Sequence, residues 1–418
     1  MTFDVNMAYL EADMKDEVYM TLDPLSTQML IDIDPSFAHT LDGKTVTVKL
    51  EKALYGCIQS GKLWYDRLKN FLFSIGFTTN AMDPCVFNRM SPSGKQLTIA
   101  MHVDDGLVTC EDESELDRFE KQLKDEFKIS CSRGPVVEYL GMKIDTTHKD
   151  GAEITMARYI SEVVSESGVT KKSRTPTQDD LFKIDDESEI LDATDRQRLH
   201  RLVAQLLYLA TRVRPDIMLP VLFLCSRVNI ATVQDQKKLD RILEYLSNTG
   251  DLGIVIGERG KNIELNVFAD ASFAVHGDMK SHSGIWMSHG RGPILCKCGK
   301  QKLVSRSSTE AELITLSDSV SLAAGHVQFL QAQGIKVVAN IQQDNMSTIA
   351  LAEKGRSTSD RTRHVNIRYF FVKQYLDEGT MKISYCPTKS MIADILTKPL
   401  QGEHFESLRS LLLGYTVQ

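Results

Sequence analysis

The sequence predicts a multidomain protein combining α+β and α/β folds. Its 418 residues exceed what one core usually organises. Strand-like and helix-like apolar patterns interleave in both the first and the last third, while the stretch between them is helical in pattern alone.

In the first third, Leu63 to Ile75 suits a helix, with Trp64, Leu68, Phe71 and Leu72 on one face and Gly76 at its end. Leu97–Val103 and Gly106–Cys110 are apolar runs on either side of Asp104-Asp105, the pattern of a hairpin. Leu116, Phe119, Leu123 and Phe127 mark a second amphipathic helix. Ser173 to Asp195 is polar and acid-rich and reads as an exposed linker or long loop. Arg196 to Leu246 follows as helix, with Leu199, Leu202, Leu206 and Leu209 at helical spacing and a break at Arg214-Pro215-Asp216. A seam is expected over Asn248–Lys261. Strands follow over Ile263–Ala269, Ser283–Met287 and Ile294–Cys298, then a long helix from about Ser308 and a strand over Val337–Gln342.

Composition is that of a globular protein, with 42% hydrophobic and 25% charged residues. No apolar run approaches the ~18 residues of a membrane span, so no membrane partner is expected. Met1–Asp16 lacks a basic stretch followed by an apolar one, so no signal peptide is expected. The eight scattered cysteines form neither a disulfide framework nor a zinc-ligand pattern, and Cys296-Lys297-Cys298 reads as alternating strand positions. A reducing, intracellular setting follows. The net charge of −7 argues against a protein that coats nucleic acid, yet suits an enzyme whose clustered carboxylates bind metal.

Two sets of acids stand out. Val103-Asp104-Asp105-Gly106 alone is an ordinary hairpin turn, because Asp and Gly supply the dihedrals such turns need. Asp4, on another strand-like segment, is placed to converge with that tip and complete a two-cation site for phosphoryl transfer. In the last third, Asp270 follows a strand, Glu312 lies in the first turns of a helix opened by Ser308-Thr309, Asp344 follows a strand, and Asp394 opens a helical segment. Taken singly, Glu312 and Asp394 are explained by the helix dipole.

As ordered blocks the acids carry more. Asp4-Val5-Asn6-Met7-Ala8-Tyr9-Leu10, the block Ala53–Tyr65, His102-Val103-Asp104-Asp105 and Tyr139-Leu140-Gly141-Met142 resemble the motifs of copia-type reverse transcriptases. Phe268-Ala269-Asp270-Ala271, the block Ser307–Leu313, Asp344-Asn345-Met346-Ser347, the block Thr362–Tyr369 and the block Ala393–Leu400 resemble the ribonuclease H of the same LTR retrotransposons. Arg201–Leu209 with Arg214–Ile217 resembles their connecting segment.

The resemblance implies a reverse-transcriptase palm, an antiparallel sheet with helices, over residues 1–150. It implies a helical thumb or connection over 151–258, with an acidic linker near 173–195. A ribonuclease H-like mixed sheet with helices would occupy 259–400, and a C-terminal tail 401–418. Asp4, Asp104 and Asp105 would hold the polymerase metals, with Gln59 near the incoming nucleotide. Asp270, Glu312, Asp344 and Asp394 would hold the ribonuclease H metals, Glu312 being preferred to Glu310 because Ala-Glu-Leu fits the family's helix better. Each site would take two Mg²⁺ or Mn²⁺ ions. Implied partners are an RNA–DNA hybrid, an RNA template with its DNA primer, and dNTPs. The implied location is cytoplasmic, in a virus-like particle, or nuclear. The basic run Arg356, Arg361, Arg363, His364, Arg368 and Lys373 would meet backbone phosphate. His102 stands where the family carries an aromatic residue, and Asn366 and Phe370 where many relatives carry Asp and His. The family's fingers region would lie before Asp4, so DNA synthesis by this chain is expected to be impaired. The competing expectation is a non-catalytic remnant or domesticated nucleic-acid-binding protein.

Overall fold

The structure is a computed structural model and describes residues 1–148, 151–258, 264–355 and 363–415. Compactness divides the chain into Met1–Leu140 and Gly141–Gln418.

The first unit runs β1 (Thr2–Val5), β2 (Tyr19–Thr21), α1 (Pro24–Ile33), β3 (Thr47–Lys49), α2 (Ser60–Ser74), β4 (Thr78–Thr79), β5 (Val86–Met90), β6 (Gln96–His102), β7 (Asp105–Thr109), α3 (Glu113–Glu126), β8 (Ile129–Ser132) and β9 (Val136–Tyr139). Its main sheet has the order β4-β5-β6-β7-β1-β8, antiparallel throughout. The apolar stripes of α2 and α3 meet Phe3, Val5, Leu97, Ile99 and Val108 in one core. Each large side chain buried there contributes roughly 1.5–3 kcal/mol. Asp112 caps α3 by accepting hydrogen bonds from the backbone of Ser114 and Glu115, which sets the helix start. This is the antiparallel sheet with helices expected of a palm.

The second unit opens with β10 (Met142–Asp145) and β11 (Ala152–Thr155), then α4 (Ala157–Ser167), α5 (Ala193–Arg212), α6 (Met218–Cys225) and α7 (Val233–Asn248). After β12 (Ile254–Glu258) come β13 (Glu264–Ser272), β14 (His282–Ser288), β15 (Gly290–Arg291), β16 (Leu295–Lys300), α8 (Ser308–Ala332), β17 (Val338–Gln343), α9 (Met346–Lys354), α10 (Arg363–Asp377), β18 (Met381–Tyr385) and α11 (Gly402–Leu413). A mixed sheet runs β16-β14-β13-β17-β18, with β13, β17 and β18 parallel and β14 and β16 antiparallel to their neighbours. That is the mixed sheet expected of a ribonuclease H-like fold.

Strand alternation covers this sheet on both faces. Leu265, Val267, Ile285 and Met287 pack with α8 residues Leu313, Leu316 and Val320. Phe268 and Trp286 turn the other way, into a core that takes in α4 to α7 and α11. One core therefore runs from Met156 to Leu412, across the seam expected near residue 258. The expected tail is not loose: α11 buries Phe405 and Leu412, and the Leu412 carbonyl accepts a hydrogen bond from the Trp286 indole at 3.1 Å. The expected exposed linker is a loop, but an anchored one. Asp185, Asp186 and Glu187 are exposed, whereas Ser173, Thr175, Thr177 and Leu181 are buried, with Arg241 donating to the Thr175 hydroxyl at 3.0 Å. Among the described residues no helix is long and apolar enough to cross a membrane.

Two candidate metal centres

The hairpin between β6 and β7 carries the first acidic group. Asp4 on β1 pairs with Asp105 on β7, so neighbouring central strands set the two acids side by side. Asp104 sits at the tip, its carbonyl accepting from the Val5 amide at 3.1 Å. One carboxylate oxygen each from Asp4, Asp104 and Asp105 lies within 4.8 Å of the other two. Burial, and then the neighbouring carboxylates, raise the pKa values of Asp4 and Asp105. The turn is built differently from the sequence expectation. The positive φ (59°) falls on Val103, not on Asp or Gly. That β-branched residue is held in a disfavoured region, with the buried Trp64 indole donating to its carbonyl at 2.7 Å. Gly106 is needed for a different reason: a Cβ there would lie 2.3 Å from the Phe3 ring.

Gln59 is half-buried at the N-terminus of α2 and makes no capping hydrogen bond. The side chain that touches the acids is Tyr55, whose hydroxyl donates to Asp104 Oδ2 at 3.2 Å while its ring lies 4.2 Å from that of Tyr9. Tyr55 sits in a block the sequence had already marked, but nothing in its spacing points to Asp104. His102 ends β6 opposite Asp105 and is exposed.

The second group gathers at one end of the mixed sheet. Asp270 lies near the end of β13, and Asp344 directly follows the adjacent parallel strand β17. Glu312 reaches them from α8. Its Oε1 accepts from the Ala271 amide at 3.3 Å, and its Oε2 accepts from Gln343 Nε2 at 3.4 Å. Oxygens of Asp270, Glu312 and Asp344 lie within 4.8 Å of one another. Glu310 is engaged elsewhere: its carboxylate accepts from the Arg306 amide at 2.7 Å while Ser307 caps its own amide, closing the start of the helix. Thr388 donates to Asp344 Oδ2 at 3.0 Å.

Asp394 lies in the short 3₁₀ turn Ile392–Leu396, which packs against β14 where Gly284 has no side chain. Lys398 Nζ joins it to the group, 2.8 Å from Asp394 Oδ1 and 3.4 Å from Asp270 Oδ1. The Thr397 hydroxyl donates to the other oxygen of Asp270. Burial, reinforced by Asp270 and Asp344, pushes Glu312 up to about 9. Burial and Asp270 push Asp394 to about 7, and burial raises Asp270 itself. Lys398, Thr397 and Thr388 were not singled out from the sequence. The four-residue step from Asp394 to Lys398, which places side chains on one face of a helical turn, was the available signal.

Both groups suit a hard divalent cation. Their donors are oxygen only, and the second group buries carboxylates whose mutual repulsion a cation would relieve, a place partly filled here by the Lys398 ammonium. Of the expected basic run, Arg356 and Arg361 lie outside the described residues, as do the side chains of Arg363, His364 and Asn366. Arg368 is paired with Asp318 at 2.8 Å, and Lys373 with Asp377.

Residues 1–178 match a family model described as reverse transcriptase (RNA-dependent DNA polymerase). Over 413 residues, 97% of the chain, the sequence is 30% identical to the retrovirus-related Pol polyprotein from transposon RE1 of Arabidopsis thaliana, covering 27% of that protein. It is 26% identical over 423 residues, 98% of the chain, to the Pol polyprotein from transposon TNT 1-94 of Nicotiana tabacum, covering 30% of it. The chain thus spans between a quarter and a third of the length of these relatives. Among solved structures, a foamy viral protease-reverse transcriptase in complex with dsDNA is 14% identical, with 92% of this chain and 67% of that chain covered at a TM-score of 0.24. Ribonuclease H1 from Halobacterium salinarum NRC-1 is 16% identical, with 32% of this chain and 94% of that chain covered, also at 0.24. The chain is a homologue of the Pol polyproteins of copia-type retrotransposons, with its reverse transcriptase match in residues 1–178.

Proposed function

We propose that the group at Asp270 hydrolyses the RNA strand of RNA–DNA hybrids, and that the group at Asp4 serves RNA-directed DNA synthesis from an RNA template, a DNA primer and dNTPs. The observation that carries the first reading is the convergence of Asp270, Glu312 and Asp344 from three separate elements to within 4.8 Å, in a Pol homologue. In the proposed assignment Asp270, Glu312, Asp344 and Asp394 hold Mg²⁺ or Mn²⁺ for hydrolysis, and Asp4, Asp104 and Asp105 hold them for synthesis. A bound pair of such ions supplies activation of the attacking oxygen and stabilisation of the leaving one.

The chain's own residues prepare that chemistry. The Ala271 amide and Gln343 orient the two oxygens of Glu312, Thr388 orients Asp344, and Thr397 orients Asp270. Pre-set carboxylates need no rearrangement when charge develops at the phosphate. The hybrid would be chosen by its shape and its 2′-hydroxyls rather than by reading bases. In the first group, Tyr55 and the Trp64-pinned hairpin fix Asp104.

The test is cleavage of RNA within an RNA–DNA hybrid in Mg²⁺, run beside primer extension, with wild type, Asp344→Asn and Asp104→Asn. Loss of several kcal/mol of charge stabilisation slows the affected reaction on the order of 100-fold or more. Asp344→Asn should silence cleavage alone, and Asp104→Asn synthesis alone. Wild-type rates in both variants would refute the assignment. A folded wild type that binds the hybrid without cleaving it would make the protein a binding module.

A further inference from the structure

The four acids of the second group are not all equally close to one another. Oxygens of Asp270, Glu312 and Asp344 face one another within 4.8 Å, and Asp394 is not among them. Asp394 is joined to Asp270 instead by an ammonium, with Lys398 Nζ at 2.8 Å from one carboxylate and 3.4 Å from the other. Both carboxylates are buried, at 1% and 3% exposure, while the Lys398 side chain reaches them from a partly open side. Its position is set by the backbone: the Lys398 amide donates to the Asp394 carbonyl at 2.8 Å, which closes the turn and brings the side chain back over Asp394. The neighbouring Thr397 hydroxyl holds the oxygen of Asp270 that Lys398 does not contact.

Two buried carboxylates that are both ionised side by side call for a cation, and here the protein provides one. A single positive charge balances only half of their negative charge, so a divalent ion is the better match. The ammonium and that ion cannot occupy the same space between Asp270 and Asp394. We propose that Lys398 is a resident counter-cation at this second position, which a second divalent ion must displace, while the space among Asp270, Glu312 and Asp344 stays open to the first. The inference rests on the reading that these acids hold divalent cations. It makes loading sequential: one ion binds without competition, and the other binds more weakly because it must expel Lys398.

The experiment is calorimetric titration of Mn²⁺ into the full chain carrying Asp104→Asn, which disables the first group. Lys398→Gln, Lys398→Arg and Asp270→Asn are compared in that background. Removing a unit charge a few ångströms from the ion should tighten the weaker Mn²⁺ step in Lys398→Gln by about tenfold or more. Lys398→Arg, which keeps the charge, should stay near the weak affinity. If Lys398→Gln binds both ions as the parent does, while Asp270→Asn loses binding, the inference is wrong and the metal reading survives. If Asp270→Asn binds as the parent does, the metal reading fails and takes the inference with it.

A second measurement uses the unsubstituted lysine and so does not depend on variants folding. Reductive methylation of Lys398, followed by peptide mass, should be slow in EDTA and several-fold faster in saturating Mn²⁺, because the displaced ammonium becomes free to react. An unchanged or slower rate in Mn²⁺ overturns the proposal.

Discussion

Arg214 has a side chain of 0% exposure, and so does Asp216. The sequence marks Arg214-Pro215-Asp216 as a helix break within a stretch that resembles the family's connecting segment, yet the pair is the polar centre of the core beneath the mixed sheet. Arg214 donates to both oxygens of Asp216 at 2.9 and 2.8 Å, and to the Thr249 carbonyl at 2.7 Å. Tyr245 donates its hydroxyl to Asp216 Oδ2 at 2.5 Å. Removing one member strands the other's charge in the interior, so Arg214→Ala should destabilise the protein by about 3–5 kcal/mol, read as a lowered urea midpoint. In the first unit, Trp64→Phe removes the bond to the Val103 carbonyl together with part of a fully buried ring, so the melting temperature should fall. The strained tip also relaxes, and primer extension should fall severalfold at temperatures where the variant remains folded.

At the scale of elements, one glycine decides whether Asp394 reaches the other acids. A Cβ on Gly284 in β14 would lie 2.7 Å from Thr397 Cγ2, 2.8 Å from Leu396 Cβ and 3.0 Å from the Ala393 carbonyl. The turn carrying Asp394 seats on the sheet only because this position is bare. Gly284→Ala should push that turn outward, reduce hybrid cleavage by at least tenfold, and destabilise by about 1–3 kcal/mol as overpacking does. Gly299→Ala is the matched control: it sits on the paired strand β16 opposite Ser283, and a Cβ there meets nothing within 4 Å. Equal effects of the two substitutions on cleavage would refute the argument.

For the whole molecule, acid sensitivity follows from a buried histidine. His282 is 2% exposed on β14, facing His276 Nε2 at 3.0 Å and Cys298 Sγ at 3.0 Å, with the Phe182 ring beside it. Burial, and then His276, lower its pKa from 6.5 to about 3. The folded value is depressed, so the unfolded chain takes up the proton first. Stability is full above pH 6.5 and is lost as pH falls from there toward 3, with a limiting slope of about 1.4 kcal/mol per pH unit for one proton. His282 thus contributes a fall in the urea midpoint between pH 6.5 and 5, against the opposite contribution of the raised carboxyls of Glu312 and Asp394. In His282→Gln that fall should be shallower, whatever the variant's stability at pH 7. An unchanged slope would place the sensitivity elsewhere.

Local pattern determined much of this protein. The stripes Trp64-Leu68-Phe71-Leu72 and Leu199-Leu202-Leu206-Leu209 announced their helices, because a half-buried helix must repeat its apolar residues with its own period. The acids were legible because each stands in a short contiguous block at the end of a strand or the start of a helix. Glu312 was separable from Glu310 on its neighbours Ala311 and Leu313, and the structure turns Glu312 toward Asp270 while Glu310 closes the helix start. Tertiary structure decided what depends on residues far apart in the chain. The Arg214 network with Thr249, the reach of Tyr55 to Asp104, the bare space at Gly284 and the core joining Met156 to Leu412 have no local period to announce them. Lys398 shows the division most sharply. Its four-residue step from Asp394 was written in the sequence, but its contact with Asp270 exists only once β13 and the turn Ile392–Leu396 are packed together.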